Sequence, residues 1–241
     1  MKRILNTLKE KWPEYILEIL VITVGIFGAF LLNSWNDKVK SRNQQAAFLT
    51  NILSNLEEDK VQLDSLVKFA GDVIERTDKL IDSYKKQKLD VDYATSSLGL
   101  MAIEKNFNGY RSGMDALVNS GLIELMPTDL RFELELYYEK SEDLNTRQSM
   151  SNEYIRDFYE PHIFEYYAEY LVQMDAFSIR QMYLDDTRES KKIDEEKFLN
   201  DRLAEVHIII RNVQTKVEED LYGKLIEVNQ DLQSRIQLLL E

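Results

Sequence analysis

The stretch Tyr15–Leu32, YILEILVITVGIFGAFLL, stands between Trp12 and Trp35 and holds a single charged residue, Glu18. A helix needs an apolar run of about 18–20 residues to cross roughly 30 Å of hydrocarbon. Tryptophan favours the headgroup level, so the two indoles mark the two interfaces. The stretch reads as one membrane-spanning helix carrying a polar domain behind it. The run is longer than a signal-peptide core and no A-x-A-like site follows it, so the reading is an uncleaved anchor.

Around the span the chain divides into three parts. Residues 1–12 form an amphipathic segment with Ile4, Leu5, Leu8 and Trp12 on one helical face, suited to lying on a leaflet. Residues 13–35 are the transmembrane helix, opened by Pro13. Residues 36–241 are an acidic helical domain. A single, slightly kinked helix over residues 1–32 fits the same pattern. Lys2, Arg3, Lys9 and Lys11 precede the span, and Lys38, Lys40 and Arg42 follow it. The positive-inside rule therefore favours a cytoplasmic N-terminus, with the acidic C-terminal domain outside, in the periplasm if the cell is Gram-negative.

Net charge is −13, but residues 1–42 carry seven Lys or Arg against four Asp or Glu, which leaves −16 on the remainder. Such a body repels phosphate backbones, so no nucleic-acid partner is expected. It also repels anionic lipid and should stand off the bilayer. Cysteine is absent, which excludes disulfides, thiol nucleophiles and thiolate metal sites.

The domain reads as all-α. Nothing but Gly71 interrupts a helix from Asn36 to about Lys88, and Leu49, Ile52, Leu56, Leu63, Leu66, Ala70, Val73, Leu80 and Tyr84 recur in a near-heptad rhythm. Leu89 to Asp92 reads as a turn, Tyr93 to Lys105 as a short helix, and Asn106 to Gly109 as a loop. A second short helix spans Ser112 to Asn119, with Gly121 as its left-handed stop. Thr128 is placed as the N-cap of a helix running from Asp129 to about Tyr159, which Pro161 kinks or ends. After a charged linker at Asp185 to Lys192, Asp194 caps a final helix to about Leu240. That helix carries one continuous apolar stripe: Leu199, Leu203, Val206, Ile210, Val213, Val217, Leu221, Leu225, Val228, Leu232, Ile236 and Leu239. A long stripe needs a long partner. The expected fold is an N-terminal transmembrane helix continuing into a long-helix antiparallel bundle, with 37–88 against 194–240.

Two blocks carry a resemblance. Glu18 to Trp35, EILVITVGIFGAFLLNSW, followed by Asn36-Asp37, resembles the opening of a bacterial family of single-pass membrane proteins of unknown function. Tyr110-Arg111-Ser112, Ala116-Leu117, Ser120 to Leu125 (SGLIEL), Leu130-Arg131 and Tyr137-Tyr138 resemble that family's second recurring block. The resemblance implies a helical inner-membrane protein and supplies no activity and no functional residues.

Candidate functional residues fall in two groups. Glu18, Ile22, Gly25, Ala29, Leu32 and Asn36 line one side of the span, and Gly25 with Ala29 forms a small-xxx-small pair that lets two backbones approach. Glu18, an ionisable group inside the span, would face that contact; snorkelling to the headgroups is the plain alternative. Tyr154, Phe158, Tyr159, Tyr166, Tyr167 and Tyr170 crowd a short stretch. They read first as an ordinary bundle core at a kink, with a partner-binding surface and a small-ligand pocket as the alternatives. His162 and His207 lack the Glu-x-x-His spacing of a di-iron bundle, since Tyr159 and Ala204 stand three residues before them. No phosphate-binding loop, nucleophile elbow or dinucleotide fingerprint is present. No cofactor, metal or catalytic activity is expected. The expected role is a structural or interaction protein, either a homo-oligomer or an accessory subunit beside another membrane protein. The alternative is an extracytoplasmic sensory domain signalling through a separate partner.

Overall fold

The computed structural model describes residues 2–171 and 192–241, without the side chains of 2–11, 14, 15 and 168–171. Most of the linker expected at Asp185 to Lys192 lies outside the described residues. The described residues form helices and turns with no strand.

Helix α1 runs without a break from Lys2 to Lys86, about 130 Å at 1.5 Å per residue. It passes through Pro13, so no interruption sets residues 1–12 apart. One stretch of it is long and apolar enough to cross a membrane, and none of that window is buried. All nine residues of the heptad rhythm from Leu49 to Tyr84 are buried, and Asp59 and Thr77 fill the two gaps. Strict 3-4 spacing keeps one seam facing the bundle over the whole length.

Helix α2 (Val91–Met101) starts at Asp90, whose carboxylate accepts from Tyr93 N–H. It is shorter than the expected Tyr93 to Lys105. Helix α3 (Ser112–Asn119) ends as expected, with Gly121 at φ 72°. Gly113 is required by contact: a Cβ there would sit 2.7 Å from Ile52 N of α1. A 3-10 turn (Leu122–Leu125) leads to α4 (Thr128–Tyr154). Pro127, not Thr128, holds the cap position, and no side chain caps it; proline's fixed φ starts the helix instead. A π turn (Ile155–Tyr159) joins α4 to α5 (Glu160–Leu171). Pro161 lacks an N–H and would clash with the preceding turn; the wider π turn before it absorbs this, and the helix kinks without ending.

The expected single helix after Asp194 is two. Helix α6 (Glu195–Asn200) is capped by Asp194, and α7 (Arg202–Leu240) by Asp201, at φ −79° and ψ 93°. α7 runs antiparallel to α1: Asn229 Nδ2 donates to Leu56 O at 2.9 Å and Asn212 Nδ2 to Thr77 Oγ1 at 2.7 Å, and just before α7, in α6, Phe198 O accepts from Tyr84 Oη at 3.1 Å. α4 packs against α7 as the third helix of the bundle, with Gln148 Nε2 donating to Tyr222 Oη at 2.7 Å.

The stripe of α7 corrects the sequence reading. Leu225, Leu232 and Ile236 are buried, but Leu203, Val206, Val213 and Val217 are exposed. Over the same stretch Ala204, His207, Ile208, Arg211, Asn212, Thr215 and Glu218 face inward. The expected stripe contains a stutter, 217-221-225, which rotates its apolar face around the helix. The helix instead keeps one strict phase, 204-208-211-215-218-222-225-229-232-236, set by the large apolar residues of its C-terminal half. The core is consequently split. One apolar cluster holds Leu49 to Ala70 with Tyr222 to Ile236; the other holds Val73 to Tyr84 with Phe198 to Ile208. Between them α7 contributes a polar belt.

Candidate functional site

Glu18, Ile22, Gly25, Ala29, Leu32 and Asn36 lie on one side of α1, all exposed. Nothing comes within 4 Å of a Cβ built on Gly25, so that face is open to a neighbouring helix.

The aromatic group divides. Tyr159 and Tyr167 are buried in the cluster with Val73 to Tyr84, Tyr154 is half-buried, and Phe158 and Tyr166 are exposed. The Tyr170 side chain lies outside the described residues. Tyr159 Oη donates to Leu98 O at 2.6 Å, a core hydrogen bond. Tyr154 and Phe158 stack with ring centroids 5.5 Å apart and 25° between planes.

The two histidines meet. α5 carries His162 and α7 carries His207, with ring centroids 5.3 Å apart. His162 Nε2 donates to Asp201 Oδ2 at 2.9 Å, and Tyr167 Oη donates to the same oxygen at 2.7 Å. Asp201 Oδ1 accepts from Leu203 N–H and Ala204 N–H, 3.0 Å each. Burial pushes this carboxyl up, but the Ala204 N–H, Tyr167 and His162 hydrogen bonds outweigh it and hold it below its ordinary value. The knot fixes the α6–α7 break against α5. His207 Nδ1 and the Tyr154 hydroxyl share a hydrogen bond of 2.6 Å. Burial, and secondly the neighbouring His162, hold the His207 imidazole below its ordinary value. Asp201 gave no sequence signal beyond its short polar side chain inside a long helix pattern.

A second buried knot lies in the cluster built on Leu49 to Ala70. Asp59 of α1 accepts from Tyr110 N–H at 2.8 Å and from Tyr137 Oη at 2.9 Å, and Asn229 Nδ2 donates to Tyr137 Oη at 3.0 Å. Burial raises the Asp59 carboxyl above its ordinary value. This links α1, α4, α7 and the 103–110 loop; the heptad reading passed over it because Asp59 interrupts an apolar rhythm.

The polar belt is the third feature. Gln148 Oε1 accepts from Phe107 N–H at 2.7 Å, Asn152 Nδ2 donates to Asn106 Oδ1 at 2.8 Å, and Arg211 Nη2 donates to Ile103 O at 3.3 Å. Five belt atoms are buried without a partner: Arg147 Nε, His207 Nε2, Arg211 Nε, Gln214 Oε1 and Glu218 Oε1. A cleft of about 300 Å³ opens on the belt, lined by Arg147, Met150, Ser151, Glu153, Tyr154, Phe158 and Gln214. Among the described residues no group of three or more His, Cys, Asp or Glu is arranged to hold a metal.

No curated protein and no solved structure matches the chain. The family described as "Family of unknown function (DUF6090)" matches residues 18–155, which include the apolar shaft, α2, α3, α4 and the Asp59–Tyr137 hydrogen bond; this is more than half of the chain, and the chain belongs to that family.

Proposed function

We propose that this chain is a single-span, membrane-anchored interaction protein, working as a parallel homo-oligomer with no chemistry of its own. Its span sits in a bacterial inner membrane, with the N-terminus cytoplasmic and residues 36–241 in the periplasm. One observation carries the reading. The apolar collar of α1, from Ile16 to Trp35, is bare on every side, yet it is continuous with the helix at the centre of the bundle. A soluble protein does not leave an apolar surface of that extent in water. From Leu32 to the first buried residue, Leu49, the shaft spans about 25 Å at 1.5 Å per residue. That distance keeps an acidic bundle off an anionic surface.

Self-association is supported by the outward stripe of α7. Leu203, Val206, Ile210, Val213 and Val217 have the alternating three-and-four spacing of a coiled-coil seam. A second copy of this chain is the fitting occupant. Two copies anchored in one bilayer are related by an axis along the membrane normal. Each α7 is antiparallel to its own α1, so that axis sets the two stripes parallel and in register. Across such a seam Lys216 would neighbour the partner's Leu221, so no like-charged pair is forced together there. With helices about 8–10 Å apart at each contact, the two shafts would stand roughly 25–30 Å apart. The Gly25/Ala29 face would then remain available to another pair or another membrane protein.

Size exclusion with light scattering on the detergent-solubilised chain tests this. The expected protein mass is that of two chains, falling to one chain in a Val206→Glu/Val213→Glu variant and holding in Gly25→Leu/Ala29→Leu. A wild-type monomer, or an unchanged mass in the α7 variant, overturns self-association through this stripe.

A further inference from the structure

No residue of α1 between Ile16 and Phe48 is buried. In the anchoring proposed above, lipid covers this stretch as far as Trp35, but the shaft beyond runs through water as a lone helix. Its sequence suits that poorly. Asn33, Ser34, Asn36, Asp37, Ser41 and Asn43 fall within the thirteen residues 33–45, and such side chains compete with the helix for backbone hydrogen bonds. Lys38 and Arg42 form a like-charged pair at i, i+4, which opposes the helix further. Most helical stability comes from tertiary packing, and the bundle gives this shaft none.

One face of the shaft carries no charge. Asn36, Val39, Asn43, Ala46 and Thr50 follow in steps of three and four, and all are exposed. The same phase runs back through Ile22, Gly25, Ala29 and Leu32, so one seam continues from the span into the shaft. Asn36, Val39, Lys40 and Asn43 sit at i, i+3, i+4 and i+7 and line a shallow groove, the outline of a hole that receives a partner's knob. Leu49, Ile52 and Leu56, which face the bundle, lie roughly 120° around the helix from this seam at 3.6 residues per turn. A second helix can therefore lie against the seam without displacing the bundle.

The two asparagines choose the partner. They stand seven residues apart, both at the a position of the repeat. In a parallel, in-register pair of identical helices each amide meets its own copy, and carbonyl and NH2 satisfy one another. An antiparallel partner would set each amide against an apolar d residue. The flanks agree. Across a parallel pair Trp35 neighbours the partner's Lys40, a cation beside an indole, and Arg42 neighbours the partner's Ala47, so within the shaft no like charges face each other.

We propose that the α1 seam from Ile22 to Thr50 pairs with the same seam of a second copy of this chain, parallel and in register. The contact rests on the anchoring, which sets the shafts parallel, and not on the α7 stripe. A pair joined by α7 holds its own shafts apart, so the partner at α1 comes from another pair. Small side chains and two enclosed amides make this seam weaker than an apolar zipper. It forms where a bilayer confines the chains at high effective concentration, and not in dilute detergent.

The chain lacks cysteine, so a single introduced thiol reports on its own counterpart in a second copy. A disulfide needs Cα atoms within about 7 Å, which Val39 and Ala46 meet across the seam and Lys38 and Ser41, on the outer side of the pair, do not. Val39→Cys, Ala46→Cys, Lys38→Cys and Ser41→Cys chains are oxidised in carbonate-washed vesicles of the cells making them and separated without reductant. The yield of linked dimer should be at least about fivefold higher at the two seam positions than at the two outer ones. In the Val39→Cys chain it should fall to the outer level when Asn36→Asp/Asn43→Asp sets like charges face to face, and should persist when Val206→Glu/Val213→Glu breaks the α7 stripe. Equal yields at all four positions, no effect of the aspartates, or loss of the link in the α7 variant overturns the seam while the anchoring stands. Release of the chain in the wash overturns the anchoring and the seam with it.

Discussion

Replacing Gly113 by alanine puts a methyl group into the closest approach between α3 and α1. The added Cβ would lie 2.7 Å from Ile52 N, 2.9 Å from Ile52 Cγ1 and 3.0 Å from the Asn51 carbonyl carbon. Two of these three atoms are backbone of a long helix and cannot rotate away. α3 must therefore lift off α1, which also stretches the 3.0 Å hydrogen bond from Gly113 N–H to Asn55 Oδ1. Overpacking of this kind costs about 1–3 kcal/mol. For a domain of this size each kcal/mol shifts Tm by about 2–4 °C, so Gly113→Ala should melt roughly 2–12 °C lower. Gly223→Ala in α7 is the control. Nothing lies within 4 Å of its added Cβ, and alanine is favoured over glycine by about 1 kcal/mol inside a helix, so this variant should melt slightly higher. The assay is helical circular dichroism against temperature in one detergent. A Gly113→Ala protein melting at or above the wild type, beside a normally behaving control, would refute the packing of α3 on α1.

Removal of Asp201 should loosen the α6–α7 break. Asp201→Ala loses the cap together with the hydrogen bonds from His162 and Tyr167, a loss of roughly 2–4 kcal/mol, whereas Asp201→Asn keeps the cap and should lose less; equal losses in urea titrations would contradict the two-sided role. His207 predicts a pH dependence. Its folded value lies below the ordinary 6.5, so between the two values the unfolded chain binds a proton that the folded chain refuses, and stability falls as pH drops through that window. The fall in Tm from about pH 7.5 to about pH 5.5 should be smaller in His207→Gln; identical slopes would remove His207 as the cause.

The register of α1 was legible because burial there follows one uninterrupted heptad, and each apolar residue named from that rhythm is in the core. Ser112 to Asn119 and the Gly121 stop were legible because left-handed backbone has a local signature. The inward face of α7 was not. Its N-terminal half presents the more apolar stripe outward, and only the phase imposed by Leu225, Leu232 and Ile236 decides which side turns in. The histidine pair was not legible either, because 45 residues separate His162 from His207 and their meeting depends on the π turn before Pro161. The belt escaped notice for a related reason. Arg147, Arg211 and Glu218 look like ordinary surface charges until the helix phase buries two of them.

The central claim is that lipid solvates the bare collar of α1. Membrane vesicles from cells making the chain, washed in alkaline carbonate, test it most directly. The intact chain should stay with the pelleted vesicles, while a chain beginning at Asn36 should be released. Recovery of the intact chain in the wash would contradict the account.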